Sequence, residues 1–258
     1  LKQKELYIAV ALSMALLLIG TAAVLASAGQ STRSSPAMST DRAEARYEQA
    51  AYPLQQAGSN FPATFVRAAE PGVDSLDPHW QYDVTSAEVI QQVYEPLIFY
   101  DREAVDEFVP MLAVTLPEIS PDHTVYTFTI RQGVDFHQGG SLTPSDVAYS
   151  FWRWMLLDRS NGPSWIILDA ILGVYDVDDV PGTDGEKCQS VKDSVTFDND
   201  NWTVTLHLAK AYSPMLDVLA SPFASIMDQE WMATQGGWGG DCADWRGYHD
   251  PAHDDSIL

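Results

Sequence analysis

A chain of 258 residues with 46% apolar content can bury a substantial core, enough for one large domain or two smaller ones. Fourteen Lys and Arg against 36 Asp and Glu give a formal charge of −22 and a pI near 4.3, a balance that repels phosphate backbones and speaks against nucleic acid as a partner. Aromatic residues make up 11% of the chain, which argues against disorder and leaves material for a ligand cleft.

The first predicted element is a targeting segment. Lys2 and Lys4 precede an uncharged, mostly apolar run from Ile8 to Leu25, and Ala26-Ser27-Ala28 offers small residues at the two positions read by signal peptidase. The run is also long enough to cross a bilayer, so residues 1–28 are expected to be either a cleaved signal peptide or a retained membrane anchor. No Cys follows the run, which excludes a lipid-modified N-terminal Cys. Either outcome takes the bulk of the chain out of the cytoplasm, to the periplasm or the cell surface. In an oxidising compartment Cys188 and Cys242 are expected to form one disulfide, with two buried free thiols as the alternative.

Residues 29–60 are rich in Ser, Thr, Ala and Gln and read as a flexible linker, although Asp41 to Gln56 could form a surface helix. The globular pattern occupies residues 61–258. Thr64 to Ala68 reads as a short strand, followed by the turn-rich Glu70-Pro71-Gly72 and Leu76-Asp77-Pro78. Thr85 and Glu88 form a capping box for a helix through Val89, Ile90 and Val93, which Pro96 ends. Leu97 to Tyr100 is a brief apolar strand.

The alternation of β-branched and aromatic residues from Val125 to Arg131 predicts a strand, with a turn or bulge at Gly133. Thr143 and Pro144 open a helix carrying Val147, Phe151, Trp154 and Met155 on one face, broken at Asn161-Gly162-Pro163. Ser194 to Phe197 and Trp202 to Leu208 read as a strand pair around the turn Asp198-Asn199-Asp200-Asn201. Ser213-Pro214 opens a helix through Leu216 and Leu219. Asp228 to Gln235 is a further helix, ended by Gly236-Gly237. Strands and helices mix without regular alternation, which predicts an α+β fold. The chain starts on Leu and ends on Asp254-Asp255-Ser256-Ile257-Leu258, so a truncated reading frame is expected.

Taken whole, residues 121–152, PDHTVYTFTIRQGVDFHQGGSLTPSDVAYSFW, combine an alternating strand, Arg-x-Gly-Val-x-Phe-His, a Gly turn and a Thr-Pro-x-Asp-Val helix start. Leu76-Asp77-Pro78, Val93-Tyr94-Glu95-Pro96-Leu97 and Pro110-Met111-Leu112-Ala113 precede this block. Trp202 to Leu208 and Gln235-Gly236-Gly237-Trp238 follow it. In these motifs and their order the chain resembles the family 5 extracellular solute-binding proteins, which include the oligopeptide-, dipeptide- and nickel-binding proteins of ABC importers.

The resemblance implies a type II periplasmic-binding-protein-like fold of two lobes that close over a ligand. The chain would supply the first part of lobe I and its small subdomain. It also implies a non-catalytic protein without a cofactor, whose partners are a peptide or small-molecule ligand and the permease subunits of an ABC transporter. A sensor or regulatory binding protein on the same scaffold, or a secreted hydrolase, is the alternative.

Motifs for enzymes are missing: the chain contains no Gly-x-Ser-x-Gly, P-loop, His-Glu-x-x-His or Gly-x-Gly-x-x-Gly. The pairs at Asp178-Asp179 and Asp254-Asp255, and the Asp198 turn, lack the spacing of a calcium loop and read as turns, so no metal site is expected. Within the signature, Arg131 is expected to hold Asp135 or Asp146 in a fork, Phe136 and Val147 to pack strand on helix, and His137 to be structural. Ligand contacts are expected from the loop carrying Asp77, His79, Trp80 and Tyr82, which combines stacking surface with hydrogen-bonding groups. Pro222-Phe223-Ala224-Ser225 is a second candidate.

Overall fold

The computed structural model describes residues 72–101, 104–157 and 162–249, all within the compact unit Arg67–Leu258. The expected targeting segment 1–28 and linker 29–60, the predicted strand Thr64–Ala68 and the acidic pair Asp254-Asp255 lie outside the described residues. Among the described residues no helix is long and apolar enough to cross a membrane.

Helix α1 (Val84–Val93) starts earlier than its sequence suggests. Asp83 is extended and its carboxylate accepts the Ser86 amide at 2.9 Å, so Asp83 rather than Thr85 caps the helix. A carboxylate that reaches two residues further back satisfies the first free amides before Thr85 can. Strands β1 (Ile98–Asp101) and β2 (Ala104–Pro110) form an antiparallel ribbon. An isolated bridge from Ala113 to Ile130 ties the end of this ribbon to the main sheet.

That sheet is antiparallel with the order β3 (Glu118–Ile119), β4 (Val125–Thr129), β6 (Thr203–His207), β5 (Val195–Asp198). Alternation in β4 and β6 sets its two faces. Tyr126 opposes Leu206 and Phe128 opposes Val204 on the buried face, while Thr127 and Thr205 bring their hydroxyls within 3.2 Å on the other. The β5–β6 turn is stapled by Asp198, whose Oδ1 accepts the amides of Asp200 and Asn201 at 2.9 Å each. Gly133 has φ +71°, the left-handed turn that a Cβ would disfavour.

Helix α2 (Pro144–Leu156) is the axis of the unit. Its start carries a full capping box, with Thr143 accepting the Asp146 amide and Asp146 accepting the Thr143 amide. The expected single apolar face is an understatement: every residue of the helix except Ser145 is buried. On one side Trp152 Nε1 donates to the Val195 carbonyl at 2.9 Å, locking α2 to the sheet. On another, Tyr149 donates to the Trp238 carbonyl at 2.5 Å, and Ser150 Oγ accepts the Met227 amide at 2.9 Å. A helix enclosed all round has to find partners for its polar side chains inside the unit, and these bonds provide them for Trp152, Tyr149 and Ser150.

The remaining helices are α3 (Trp165–Ile171), α4 (Asp184–Ser194), α5 (Met215–Leu219) and α6 (Gln229–Thr234), with 3-10 turns at Val177–Asp179, Pro222–Ala224 and Trp245–Gly247. The start of α4 is a capping box of Thr183 and Glu186, a Thr-x-x-Glu signal visible in the sequence. Cys188 and Cys242 form the expected disulfide, with Cα atoms 5.5 Å apart, and join α4 to the segment after α6. The expected fork of Arg131 is not made. Arg131 is exposed, while Asp146 serves Thr143 and the Gln229 amide, and Asp135 accepts from Ser141. Capping claims Asp146 because backbone amides at helix starts are fixed close by, whereas an exposed guanidinium loses side-chain entropy on pairing.

Candidate functional site

The loop before α1 folds as a tight turn built on Asp77. The Trp80 and Gln81 amides donate to the Asp77 carbonyl at 3.1 and 3.0 Å, and the His79 amide donates to Asp77 Oδ1 at 2.9 Å. Ser86, in the first turn of α1, accepts the amides of Asp74 and Ser75 at 2.9 and 3.3 Å. The loop and the helix it precedes are thus one local unit.

What anchors that unit comes from far away in sequence. Arg153, in the last turn of α2, donates from Nη1 to Asp77 Oδ1 at 2.8 Å and from Nη2 to Asp77 Oδ2. The same Nη1 lies 3.1 Å from His79 Nδ1. All three side chains are buried. Burial by itself raises the Asp77 carboxyl, but the Arg153 guanidinium outweighs it and holds the group below its ordinary range. Burial first, and the positive charge of Arg153 second, push His79 down to about 3. A neutral ring facing a donor at Nδ1 carries its proton on Nε2. The Ser225 backbone lies beside that ring without reaching hydrogen-bond geometry at Nε2. Tyr94, close to the pair, is pushed up to about 12 by burial and by the Asp77 charge.

A series of rings runs outward from this pair. His79 stacks on Trp154 with centroids 6.3 Å apart and planes 9° from parallel. Trp154 stacks on Phe223 at 6.0 Å, and Phe223 meets Tyr82 at 5.9 Å in a tilted arrangement. Trp165 at the start of α3 then donates from Nε1 to the Tyr82 hydroxyl at 3.2 Å. Tyr82 and Trp165 are 46% and 41% exposed. The result is an open aromatic ledge whose base is buried and whose rim carries a phenol oxygen.

The structure therefore divides the residues expected to contact ligand. Asp77, His79 and Trp80 are buried at 1, 3 and 4% exposure, while Tyr82 alone of the four opens to solvent. It also brings together the two candidate loops, since Phe223 of the Pro222–Ser225 stretch touches Tyr82. Two members went unrecognised in the sequence. Arg153 had a signal, a lone cation between Trp152 and Trp154 in an otherwise apolar helix. Trp165 had none.

Two other features are set apart from this ledge. A groove of about 450 Å³ lies between the end of α1, the segment Val134–Gln138 and the stretch Ile226–Met232. Asp146, Asp228 and Glu230 converge within 4.8 Å. Asp146 accepts the amides of Thr143 and Gln229, and Asp228 accepts that of Trp231, so two of these carboxylates act as helix caps.

Comparison with known proteins bears on this arrangement. The family profile described as bacterial extracellular solute-binding proteins, family 5 (middle region), matches residues 107–247. Protein XP55 of Streptomyces lividans is 34% identical over 104 residues, which are 40% of this chain and 18% of XP55. The oligopeptide-binding protein OppA of Bacillus subtilis is 37% identical over 82 residues, 32% of this chain and 14% of its own length. Among solved structures, OppA of Listeria monocytogenes bound to peptide aligns with a TM-score of 0.51 at 21% identity, over 64% of this chain and 30% of that one. The pheromone receptor PrgZ with its mode of peptide binding aligns at 0.51 and 22% identity, over 64% and 31%. The matched part is thus less than a third of each of these relatives, and the structural likeness establishes the mixed α+β, type II binding-protein fold.

Proposed function

The chain belongs to the bacterial extracellular solute-binding proteins of family 5, and from that premise we propose that it is part of the extracytoplasmic component of an ABC importer that captures peptides or similar small solutes. The observation that carries this reading is the ledge of Tyr82 and Trp165, two exposed aromatic rings with a hydrogen-bonding rim on a buried base. Exposed aromatic rings suit packing against a solute's apolar face, and the phenol oxygen orients it. Tyr82 is the ligand contact of the first loop, and Asp77, His79 and Trp80 are its support. A second lobe closing over the ledge would bury the solute and shift the protein to the closed state, which the permease receives.

The division of the chain follows the same reading: residues 1–28 direct export or anchor the protein, residues 29–60 are a tether, and the domain begins at residue 61. The Cys188–Cys242 disulfide accords with an oxidising, extracytoplasmic location.

A thermal-shift screen of the full chain, extended to its complete reading frame, tests the proposal with di- to pentapeptides, oligosaccharides and metal chelates. A peptide at a hundred times its Kd should add about 2.7 kcal/mol of stability. Stabilisation by sugars and by none of the peptides overturns the peptide reading, and turnover of any compound overturns the non-catalytic one. Tyr82→Ala should weaken the bound solute about tenfold or more, a loss of about 1.4 kcal/mol. Unchanged affinity moves the site away from the ledge, with the groove beside Met111 and Trp231 next in line.

A further inference from the structure

Ligand capture needs Tyr82 to be presented in one direction, yet Tyr82 is held by no backbone ladder. It follows a short turn and precedes the Asp83 cap. Arg153 reaches the turn from the centre of the unit, and its guanidinium engages both oxygens of Asp77 and approaches His79 Nδ1. A planar fork on two oxygens fixes the rotation of the carboxylate as well as its position, which a single ammonium does not. The carboxylate in turn accepts the His79 amide, and the ring of His79 starts the stack through Trp154 and Phe223 that ends on Tyr82. Each ring is aligned by the one before it, because offset-stacked and tilted ring pairs hold preferred mutual angles.

From this geometry we infer that Arg153 is a positioning residue for solute capture, setting the direction of the Tyr82 face through the Asp77 fork and the His79–Trp154–Phe223 stack. The inference rests on the ledge being the capture site, and Arg153 itself touches no solute. It assigns a role to the one cation of the helix core, which packing alone does not require. A buried pair of this kind is commonly replaceable by apolar side chains of similar size with no loss of stability. Its presence here therefore calls for orientation, a property that apolar replacements do not supply.

The test separates orientation from stability. In the full-length protein the double variant Asp77→Leu/Arg153→Met removes both charges together and should keep a near wild-type unfolding midpoint. Its amides at His79, Trp80 and Gln81 should nevertheless exchange with solvent about tenfold faster or more, while those of β4 and β6 do not change. Its Kd for the tripeptide Ala-Phe-Ala should rise about tenfold or more. Phe223→Leu, at a half-exposed position, breaks the stack without touching the ion pair. It should raise the same Kd severalfold with normal exchange at His79, and it answers the question if the double variant does not fold.

Wild-type exchange in the double variant, or wild-type Kd in Phe223→Leu, overturns the inference. If the wild type binds no Ala-Phe-Ala while the double variant loosens the loop as stated, the positioning role stands and the choice of solute falls.

Discussion

Two regions flank helix α2 and are held to it in opposite ways. On one side, the segment Trp238–His249 is fastened to α4 and α2 by many links. They are Tyr149 Oη of α2 on the Trp238 carbonyl at 2.5 Å, the Cys188–Cys242 disulfide, Lys192 Nζ on the Gly240 carbonyl at 2.9 Å, Trp245 Nε1 on the Asp184 carbonyl at 2.9 Å, and Arg246 bridging Asp178 and Asp184 at 2.7 Å each. Lys192 also sits over the Trp152 ring at 4.6 Å, and Arg246 over Trp245 at 4.1 Å. On the other side, the turn Asp77–Gln81 is tied to α2 through one buried ion pair and a stack of rings. Around that turn Trp80 Nε1, Gln81 Nε2, Arg153 Nε and Trp154 Nε1 are buried without a hydrogen-bond partner.

The difference teaches where each region stores its stability. The clasp is redundant and its ion pairs are solvent-accessible, so its ionic parts are individually weak and its covalent bond dominates. The turn has removed charges and N–H groups from water, and removing one partner of the pair alone leaves the other buried and uncompensated. Redundancy suits a scaffold that only has to stay shut. A single, sharply directional tie suits a surface whose angle matters more than its strength.

The comparison breaks most readily at Arg153. Arg153→Met strands a buried carboxylate, and urea unfolding should report a loss of about 3–5 kcal/mol. A loss below about 1 kcal/mol would mean that the turn has other ties and that the contrast with the clasp is wrong. Next in size is the disulfide. Cys188→Ala/Cys242→Ala should cost about 2–4 kcal/mol, read as a lower denaturant midpoint that matches the wild type under reductant. Redundancy predicts that hydrogen exchange in α2 and the sheet stays protected in this variant, and early opening of α4 would argue otherwise.

The smallest effect per step is on acidity. His79 sits at about 3 in the folded chain and near 6.5 when unfolded, so the unfolded state takes up the proton first. The stabilising preference for neutral His79 is fully present above about pH 6.5. It is lost as the pH falls toward 3, at up to about 1.4 kcal/mol per pH unit. Asp77, whose folded carboxyl lies below its ordinary range, adds a further loss below about pH 4, in the same direction. Equilibrium unfolding of His79→Phe between pH 7 and 4.5 should show a flatter profile than the wild type. Parallel profiles would remove His79 as the source.

Much of the architecture was legible in local pattern, and the reasons are particular. The alternation Val125 to Thr129 fixes both the strand and its buried face, since successive side chains of a strand point to opposite sides. Thr143-Pro144 announced α2, and Asp228 announced α6, because caps act within three residues of themselves. Asp83 caps α1 although the nearby Thr85 and Glu88 offer a rival box in the sequence, and Thr183 with Glu186 is a further box of the same local kind. The family signature pointed to the binding-protein fold by its order of motifs.

The candidate site is another matter. Asp77 and Arg153 are 76 residues apart, and Tyr82 and Trp165 are 83 apart. Nothing in either neighbourhood says which partner it will meet. The loop Asp77 to Tyr82 could be singled out from its chemistry. Its division into three buried supports and one exposed ring depended on how α2 and the Pro222–Ala224 turn pack against it. Sequence by itself determined strand β4, the starts of α2 and α6 and the family resemblance, since those properties reside in residues that are neighbours along the chain. Only the tertiary structure decided which side chains face solvent, and in what direction, because burial is set by packing partners brought in from the distant parts of the same chain.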